Sequence, residues 1–305
     1  MINNKSILFA FVLLIASSLF WSGNFFTGKI ASLYDLTPFK LSFLRWSLAF
    51  LLLLPFTYRK IILDFSKYKK NLPYLIITSI LGVTIFNSFT YLSLQTSMVI
   101  NSSIMASITP LLIIFFSWLI FKTQTYFMQF FGIILSIIGV LLIISKANFN
   151  NLINLDFTIG DLWMLAAVFS WGLYSVLLKK IDSTLSQLAT LEVMIFIGLI
   201  FIFPFYFFES LNNSFLPKDS NEILMITYVA IFASITSFFA WNKGVSIVGA
   251  NKASLFLHLI PVFSSMWAIL FLDEIFSFFH LLGTVFIIFG IILSNINRKN
   301  YEKIY

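Results

Sequence analysis

Polar side chains set into long uncharged stretches are the residues of this chain that can do chemistry. Asn87 and Tyr91 are four residues apart inside an uncharged run of 51 residues, 71–121, a spacing that puts both on one helical face. Asn24 follows Trp21 by one turn, and Asn101, with Ser102 and Ser103, falls at the start of a later helix. Trp171 and Tyr174 are three apart, Ser237 and Trp241 four apart with Asn242 adjacent, and His258 stands three residues before Pro261. Amides, hydroxyls and indoles in such settings hydrogen-bond the polar groups of a small solute and wall its apolar part. They do not break bonds. An enzyme needs paired carboxylates, a His cluster or a Ser/His set at one depth, and none is found. Cysteine is absent, and the two His, His258 and His280, are too few and too far apart for a metal site. No cofactor and no metal is expected.

Each candidate has a plainer reading. Ser and Asn also hold membrane helices together, and Trp and Tyr also form interfacial belts, the place expected for Trp46 and Trp163. A neutral His258 bonded to a neighbouring helix competes with a proton-carrying one. Pro110 and Pro261 each remove a mid-helix hydrogen bond, which serves a gate or a fixed kink equally well. Arg45 lies about two turns into its helix; its stem could snorkel outward, and it could attract an anionic substrate group, but a structural contact is the favoured expectation. Glu192 falls near the opposite face, so no Arg45–Glu192 ion pair is expected. The run from Gly23 to Ile30 nearly spells a phosphate loop, but it lacks the final Ser or Thr and a preceding strand.

The elements that must position these residues follow from composition. Of 305 residues, 60% are hydrophobic and 10% charged, against about 45–50% and about 25% in soluble domains. Mean hydropathy is +0.98. That excludes a soluble enzyme, a nucleic-acid-binding domain and a disordered scaffold. Continuous apolar runs exclude an outer-membrane barrel. A polytopic helical membrane protein remains.

The gaps between charges suit ten crossings of about 20 residues. They fall at 6–28, 41–58, two within 71–121 joined near 95–97, 123–145, 162–178, 188–208, 223–242, 253–272 and 275–297. With the N-terminus inside, 14 of the 19 Lys and Arg are cytoplasmic and 4, Lys29, Lys40, Lys146 and Lys218, external, with Arg45 within a span. The bias predicts both termini in the cytoplasm and accounts for the net charge of +7 without nucleic acid. The basic stretch Arg59 to Lys70 could touch anionic lipid heads, but an orientation signal is the simpler reading. The acidic residues Asp35, Asp156, Asp161, Glu209, Asp219, Glu222, Asp273 and Glu274 read as external.

A duplication is visible. Pro110 and Pro261, Gly132 and Gly283, and Gly139 and Gly290 are each 151 apart; Trp21 and Trp171, and Lys29 and Lys179, are 150 apart; Pro55-Phe56 recurs as Pro204-Phe205 at 149. Five spans per copy is odd, so the second copy enters the membrane inverted. The expected architecture is all-α integral membrane, with ten transmembrane helices in two inverted five-helix repeats: 5–145, an external linker 146–160, and 161–297. Inverted repeats are an architecture of secondary transporters. The glycine pairs, seven apart, predict close helix packing.

Phe20-Trp21-Ser22-Gly23-Asn24-Phe25, Arg45-Trp46, Pro110 and Pro261, Trp241-Asn242-Lys243-Gly244, and Leu272-Asp273-Glu274 followed by Gly283 and Gly290 together resemble EamA-type members of the drug/metabolite transporter superfamily. The resemblance spans roughly residues 5–297. Lys122-Thr123-Gln124 departs from it, standing where the second half has its acidic turn. The resemblance implies a ten-helix secondary carrier of small metabolites, often exporting amino acids or related compounds, with a central cavity. The expected substrate-binding residues are Trp21, Asn24, Asn87, Tyr91, Asn101, Trp171, Tyr174, Ser237, Trp241 and His258, with Pro110 and Pro261 gating. The expected partners are a small-molecule substrate and membrane lipids in the cell's inner (plasma) membrane; monomer and homodimer are both open. An uptake carrier for a nucleoside, vitamin or organic cation, and a non-transporting or lipid-handling membrane protein, stand as rivals.

Overall fold

The computed structural model describes residues 4–34, 36–97, 99–124, 126–154, 157–271 and 275–295. Among them every regular element is helical. In hydrocarbon a backbone must satisfy its own polar groups, and an uncharged chain does so as helix. Nine helices among the described residues are long and apolar enough to cross a membrane. They are α1 (Asn4–Leu33), α2 (Pro38–Leu63), α3 (Phe65–Thr96), α4 (Asn101–Phe121), α5 (Phe127–Ile144), α6 (Ile159–Lys180), α7 (Gln187–Ser210), α8 (Ser220–Val248) and, after a further helical stretch at 250–271, α9 (Phe278–Asn295). Asp35, Asp156, the Leu272-Asp273-Glu274 turn and the basic residues beyond 295 lie outside the described residues.

Several expectations change at the helix ends. Helix α2 runs past the expected end at 58 to Leu63 and α3 starts at Phe65, so the basic stretch Arg59 to Lys70 is helical, with Asp64 alone between the two. Asp161 is not an external loop charge but a buried cap. Its carboxylate accepts the Thr158 backbone N–H at 2.6 Å, closing a capping box that starts α6. Glu209 and Glu222 are also built into helix ends. Glu222 is buried against Lys40, Nζ to Oε2 3.0 Å, and Glu209 accepts the Lys40 backbone N–H at 2.9 Å. The Gly23–Ile30 run lies inside α1, so it forms no loop.

Four interruptions matter for the interior. In α3, Ser79–Ile85 is π-helical, and in α8 so is Val229–Thr236; their starts are 150 residues apart, within the offset range of the sequence repeat. Side chains reach the carbonyls five residues back: Ser234 to Val229 at 2.9 Å, Ser237 to Phe232 at 2.8 Å, and the Asn87 amide to Gly82 at 2.8 Å. Helix α4 breaks at Ile108, and the 250–271 stretch tightens to a 3₁₀ segment, Ser254–His258, each just before its proline.

Helices α5 and α9 cross through the four predicted glycines. A Cβ on Gly132 would meet the Gly290 carbonyl at 2.5 Å, and one on Gly139 the Gly283 carbonyl at 2.5 Å. The N-terminal face is the end where α1 begins; α1 finishes at the opposite face.

Candidate functional site

Two cavities open at opposite faces. The first, about 310 Å³, has Lys29, Lys146 and His280 towards its mouth on the opposite face, with Trp21, Asn24, Phe86, Trp171 and His258 deeper in. The second, about 520 Å³, opens at the N-terminal face. It is lined by Thr123, Gln124, Gln129, Lys179, Asp182, Asn242 and Lys252. Backbone N–H donation by Thr184 holds the Asp182 carboxyl below the ordinary carboxylate value, so this mouth keeps a negative charge.

Between the cavities stands a plug of buried aromatics. Trp21 meets Trp171 edge-on, ring centroids 5.1 Å apart, and Trp241 lies 5.7 Å from Trp21 and 5.6 Å from Trp171. Phe238 packs on Trp21, Trp46 and Trp171. The Trp21 indole donates to the Ala233 carbonyl in the π-helical part of α8 at 3.0 Å, whereas the buried indole nitrogens of Trp171 and Trp241 have no hydrogen-bond partner among the described residues. From Trp171 the plug continues through Tyr174, 4.9 Å away, whose hydroxyl donates to the Asn242 side-chain oxygen at 2.7 Å. Asn242 already lines the second cavity. Trp21, Trp171, Tyr174 and Asn242 thus form a continuous run of contacts from one lining to the other.

Behind Asn24 lies a polar cluster. Arg45 is fully buried. Its Nε donates to Ser234 Oγ at 2.7 Å, and its Nη1 to Asn87 Oδ1 at 3.0 Å, Asn24 Oδ1 at 3.2 Å and the Tyr91 hydroxyl. The Tyr91 hydroxyl itself donates to Asn24 Oδ1 at 2.7 Å. Arg45 thus does not snorkel; it ties α1, α2, α3 and α8 together at depth. Trp46 is no belt residue either: it is fully buried under Phe238, 5.0 Å away. A membrane-boundary reading fails for both because neighbouring helices, not lipid, surround that stretch of α2. Trp163 is half-buried beside Phe89, ring centroids 4.9 Å apart. Both Glu192 oxygens are buried without a hydrogen-bond partner, and Arg45 makes its bonds elsewhere.

The expected site residues separate into groups. Trp21, Asn24, Trp171, His258 and Pro261 line the first cavity. Tyr174 and Trp241 belong to the plug, and Asn87 and Tyr91 to the Arg45 cluster. Ser237 bonds backbone carbonyls, Phe232 at 2.8 Å and Ser17 at 3.4 Å, and faces neither cavity. Asn101 stands apart, its amide 3.3 Å from Asp161 at the end of α6. Pro110 is buried at the start of the second segment of α4 and is absent from both linings. His258 Nε2 donates to the Ser107 carbonyl at 3.0 Å, and Ser136 Oγ is 2.6 Å from Nδ1. A neutral imidazole satisfies both. Residue-type reasoning missed Phe86, Phe238 and Ser234, and the π-helical segments carry no motif that could have found them. Phe238, one turn short of Asn242, was legible only as another apolar residue.

The EamA-like transporter family model matches this chain twice, over residues 8–145 and 158–296. The uncharacterized transporter YyaM of Bacillus subtilis is 26% identical over 288 residues, 93% of each chain. An uncharacterized transporter of Archaeoglobus fulgidus is 27% identical, covering 93% of this chain and 96% of its own. A probable amino-acid metabolite efflux pump of Escherichia coli is 28% identical over 173 residues, 54% of this chain and 57% of its own. One crystal structure shares the fold with a TM-score of 0.73 at 16% identity, covering 96% of this chain and 97% of that one. With nine membrane-length helices and two family matches that together cover nearly all of it, the chain belongs to the EamA-like transporter family.

Proposed function

We propose that this protein is a secondary carrier that moves small metabolites across the cell's inner (plasma) membrane by alternating access between two five-helix halves, 5–145 and 161–297, with both termini in the cytoplasm. The observation that carries this reading is the pair of cavities at opposite faces separated by the Trp21–Trp171–Tyr174–Asn242 plug. A carrier needs a site that each face can reach in turn, and a plug held by a few ring contacts and one hydrogen bond can be remade on either side. The paired π-helical segments and the 151-residue offset support two halves built on one plan.

Amino acids or related compounds are the proposed substrates, and export the proposed direction. The named activity of the Escherichia coli relative supports this, as does a cavity walled by rings and edged by hydroxyls. Trp171 lines the first cavity, and its buried indole donor is open to an acceptor that a solute would supply. The positive-inside count supports the orientation. No catalytic role is assigned.

Counterflow in proteoliposomes tests the proposal. Protein preloaded with one unlabelled amino acid should draw the labelled form in transiently, and Trp171→Ala should abolish it. Counterflow of a nucleoside or organic cation instead would transfer the reading to the rival substrates. Lipid movement with no solute exchange would refute the carrier.

A further inference from the structure

Arg45 is a permanent cation buried in the membrane interior without a counter-ion. Its partners Ser234, Asn24, Asn87 and Tyr91 are all neutral, and the ion pairs among the described residues, Lys40–Glu222 and Lys67–Asp64, do not include it. The rings of Trp46 and Tyr91, 5.0 and 5.7 Å from its guanidinium carbon, offset only part of the cost of burying a charge. The hydrogen bonds are also unevenly spread. Nη1, with two hydrogens, faces three acceptor oxygens, whereas buried Nη2 has no partner.

The other half of the chain has no charge at the corresponding place. Helices α2 and α7 align through Pro55 and Pro204, 149 apart, and that offset puts Met194 where Arg45 stands. Met194 takes only a hydroxyl, from Thr78 at 3.4 Å. One half of the protein therefore holds together at this position with a neutral thioether.

We propose that Arg45 is the receptor for the carboxylate of the transported solute, an assignment that rests on the carrier reading above and names its substrate class as organic acids, zwitterionic amino acids included. A guanidinium presents a planar fork that matches a carboxylate with two parallel bonds. The Nη1–Nη2 edge supplies that fork once one Nη1 acceptor yields. Asn24 is the one placed to yield: its contact is the longest of the three Nη1 makes, 3.2 Å, and its side chain lines the first cavity. The approach favours an anion, since Lys29 and Lys146 line this cavity and no carboxylate does among the described residues. Asn87 stays fixed by its amide bond to the Gly82 carbonyl, and Ser234 holds Nε, so the fork keeps its aim.

The test compares acids with their primary amides. Thermal stabilisation of the detergent-purified protein is titrated with the twenty amino acids, simple monocarboxylic acids, and the amide of each. At least one acid should bind about tenfold or more tighter than its amide, as the loss of a charge-assisted pair predicts. Arg45→Gln should bring acid and amide within about threefold, and Arg45→Lys should weaken the acid while keeping it ahead of its amide. Should Arg45→Gln fail to fold, the wild-type comparison and Arg45→Lys still decide. No acid preferred over its amide, or stabilisation by chloride or nitrate equal to that by the best acid, overturns the assignment. Solute counterflow without acid preference would overturn it and leave the carrier standing. Arg45-dependent acid binding without counterflow would leave the site and remove the carrier.

Discussion

His258 and Ser107 are 151 residues apart in sequence and hydrogen-bonded in the fold, the imidazole Nε2 donating to the Ser107 carbonyl at 3.0 Å. That separation is the repeat offset that relates Pro110 to Pro261. Trp21 and Trp171, 150 apart, touch as well. Under a twofold relation, a residue meets its own equivalent only on the axis, and off-axis contacts come in exchanged pairs. The glycine crossing has the exchanged form: Gly132 meets Gly290 while Gly139 meets Gly283. The contacts at His258, at Trp21 and at the glycines are what two inverted halves packed about one axis would leave.

The His258 bonds give a first prediction. The carbonyl of Ser107 can only accept, so Nε2 carries a proton, and in a neutral ring Nδ1 accepts from Ser136. Both nitrogens are used. His258→Ala leaves a buried carbonyl and hydroxyl unpaired and should cost about 1–3 kcal/mol of stability. The pH profile of solute exchange between about pH 5 and 8 should not change. Thermal unfolding in detergent and exchange rates across that range check both parts; a shifted pH profile would show that His258 carries a proton in the cycle.

The glycine crossing gives a second. At Gly139 and at Gly132 an added Cβ meets backbone oxygen at 2.5 Å, which only helix separation can relieve. Alanine at either position should destabilise by about 1–3 kcal/mol. The Gly132→Ala/Gly290→Ala pair should cost less than the sum of its singles, because the first change already parts the helices. Gly172→Ala is the contrast: its Cβ would meet a Phe116 ring atom at 3.2 Å, and a side chain can move. It should cost under about 1 kcal/mol. Equal losses at Gly172 and Gly139 would refute this account of the crossing.

The reach of the sequence can be judged from these same residues. Uncharged runs identify membrane helices because lipid leaves the chain no other choice, and the repeat offset related Trp21 to Trp171 and one glycine pair to the other, while the contacts between them appear only in the fold. Asn24, Asn87 and Tyr91 stood out as polar groups in apolar runs, and the structure brings all three onto Arg45. What escaped was where long side chains end. Arg45 has stem enough to reach either the boundary or the interior, and only the acceptors on α1, α3 and α8 decide it. Lys40 was counted as an external charge, yet it is buried with Glu222 because α2 and α8 start side by side. Local sequence shows neither neighbour.

That buried pair gives a third prediction. Lys40 and Glu222 are each 2% exposed and 3.0 Å apart. Removing one partner strands a charge, which costs about 3–5 kcal/mol, while replacing both with apolar groups is far milder. Lys40→Met should be severely destabilising and Lys40→Met/Glu222→Leu should recover most of the loss. Unfolding temperatures of the two purified variants decide it. A Lys40→Met protein as stable as wild type would mean that the pair is solvated in the membrane-embedded protein.

The plug gives the last. The chain has no cysteine, so any thiol introduced is a single reporter. Asn213 and Ser183 are exposed at opposite faces. With both termini cytoplasmic, Asn213→Cys should react with an impermeant maleimide on intact cells, and Ser183→Cys only after permeabilisation. The reverse pattern would invert the proposed orientation. Ser175→Cys then reports the plug, since Ser175 is a buried residue lining the second cavity next to Tyr174. Tyr174→Phe keeps the ring against Trp171 and deletes only the hydroxyl that donates to Asn242. A hydrogen bond of about 0.5–1.5 kcal/mol held in the closed plug and lost in the open one should, when removed, raise Ser175→Cys labelling about two- to tenfold. Exchange should speed up or lose its lag in the same variant. Unchanged labelling would mean that the Tyr174–Asn242 bond persists in every state, and that the rings alone close the passage.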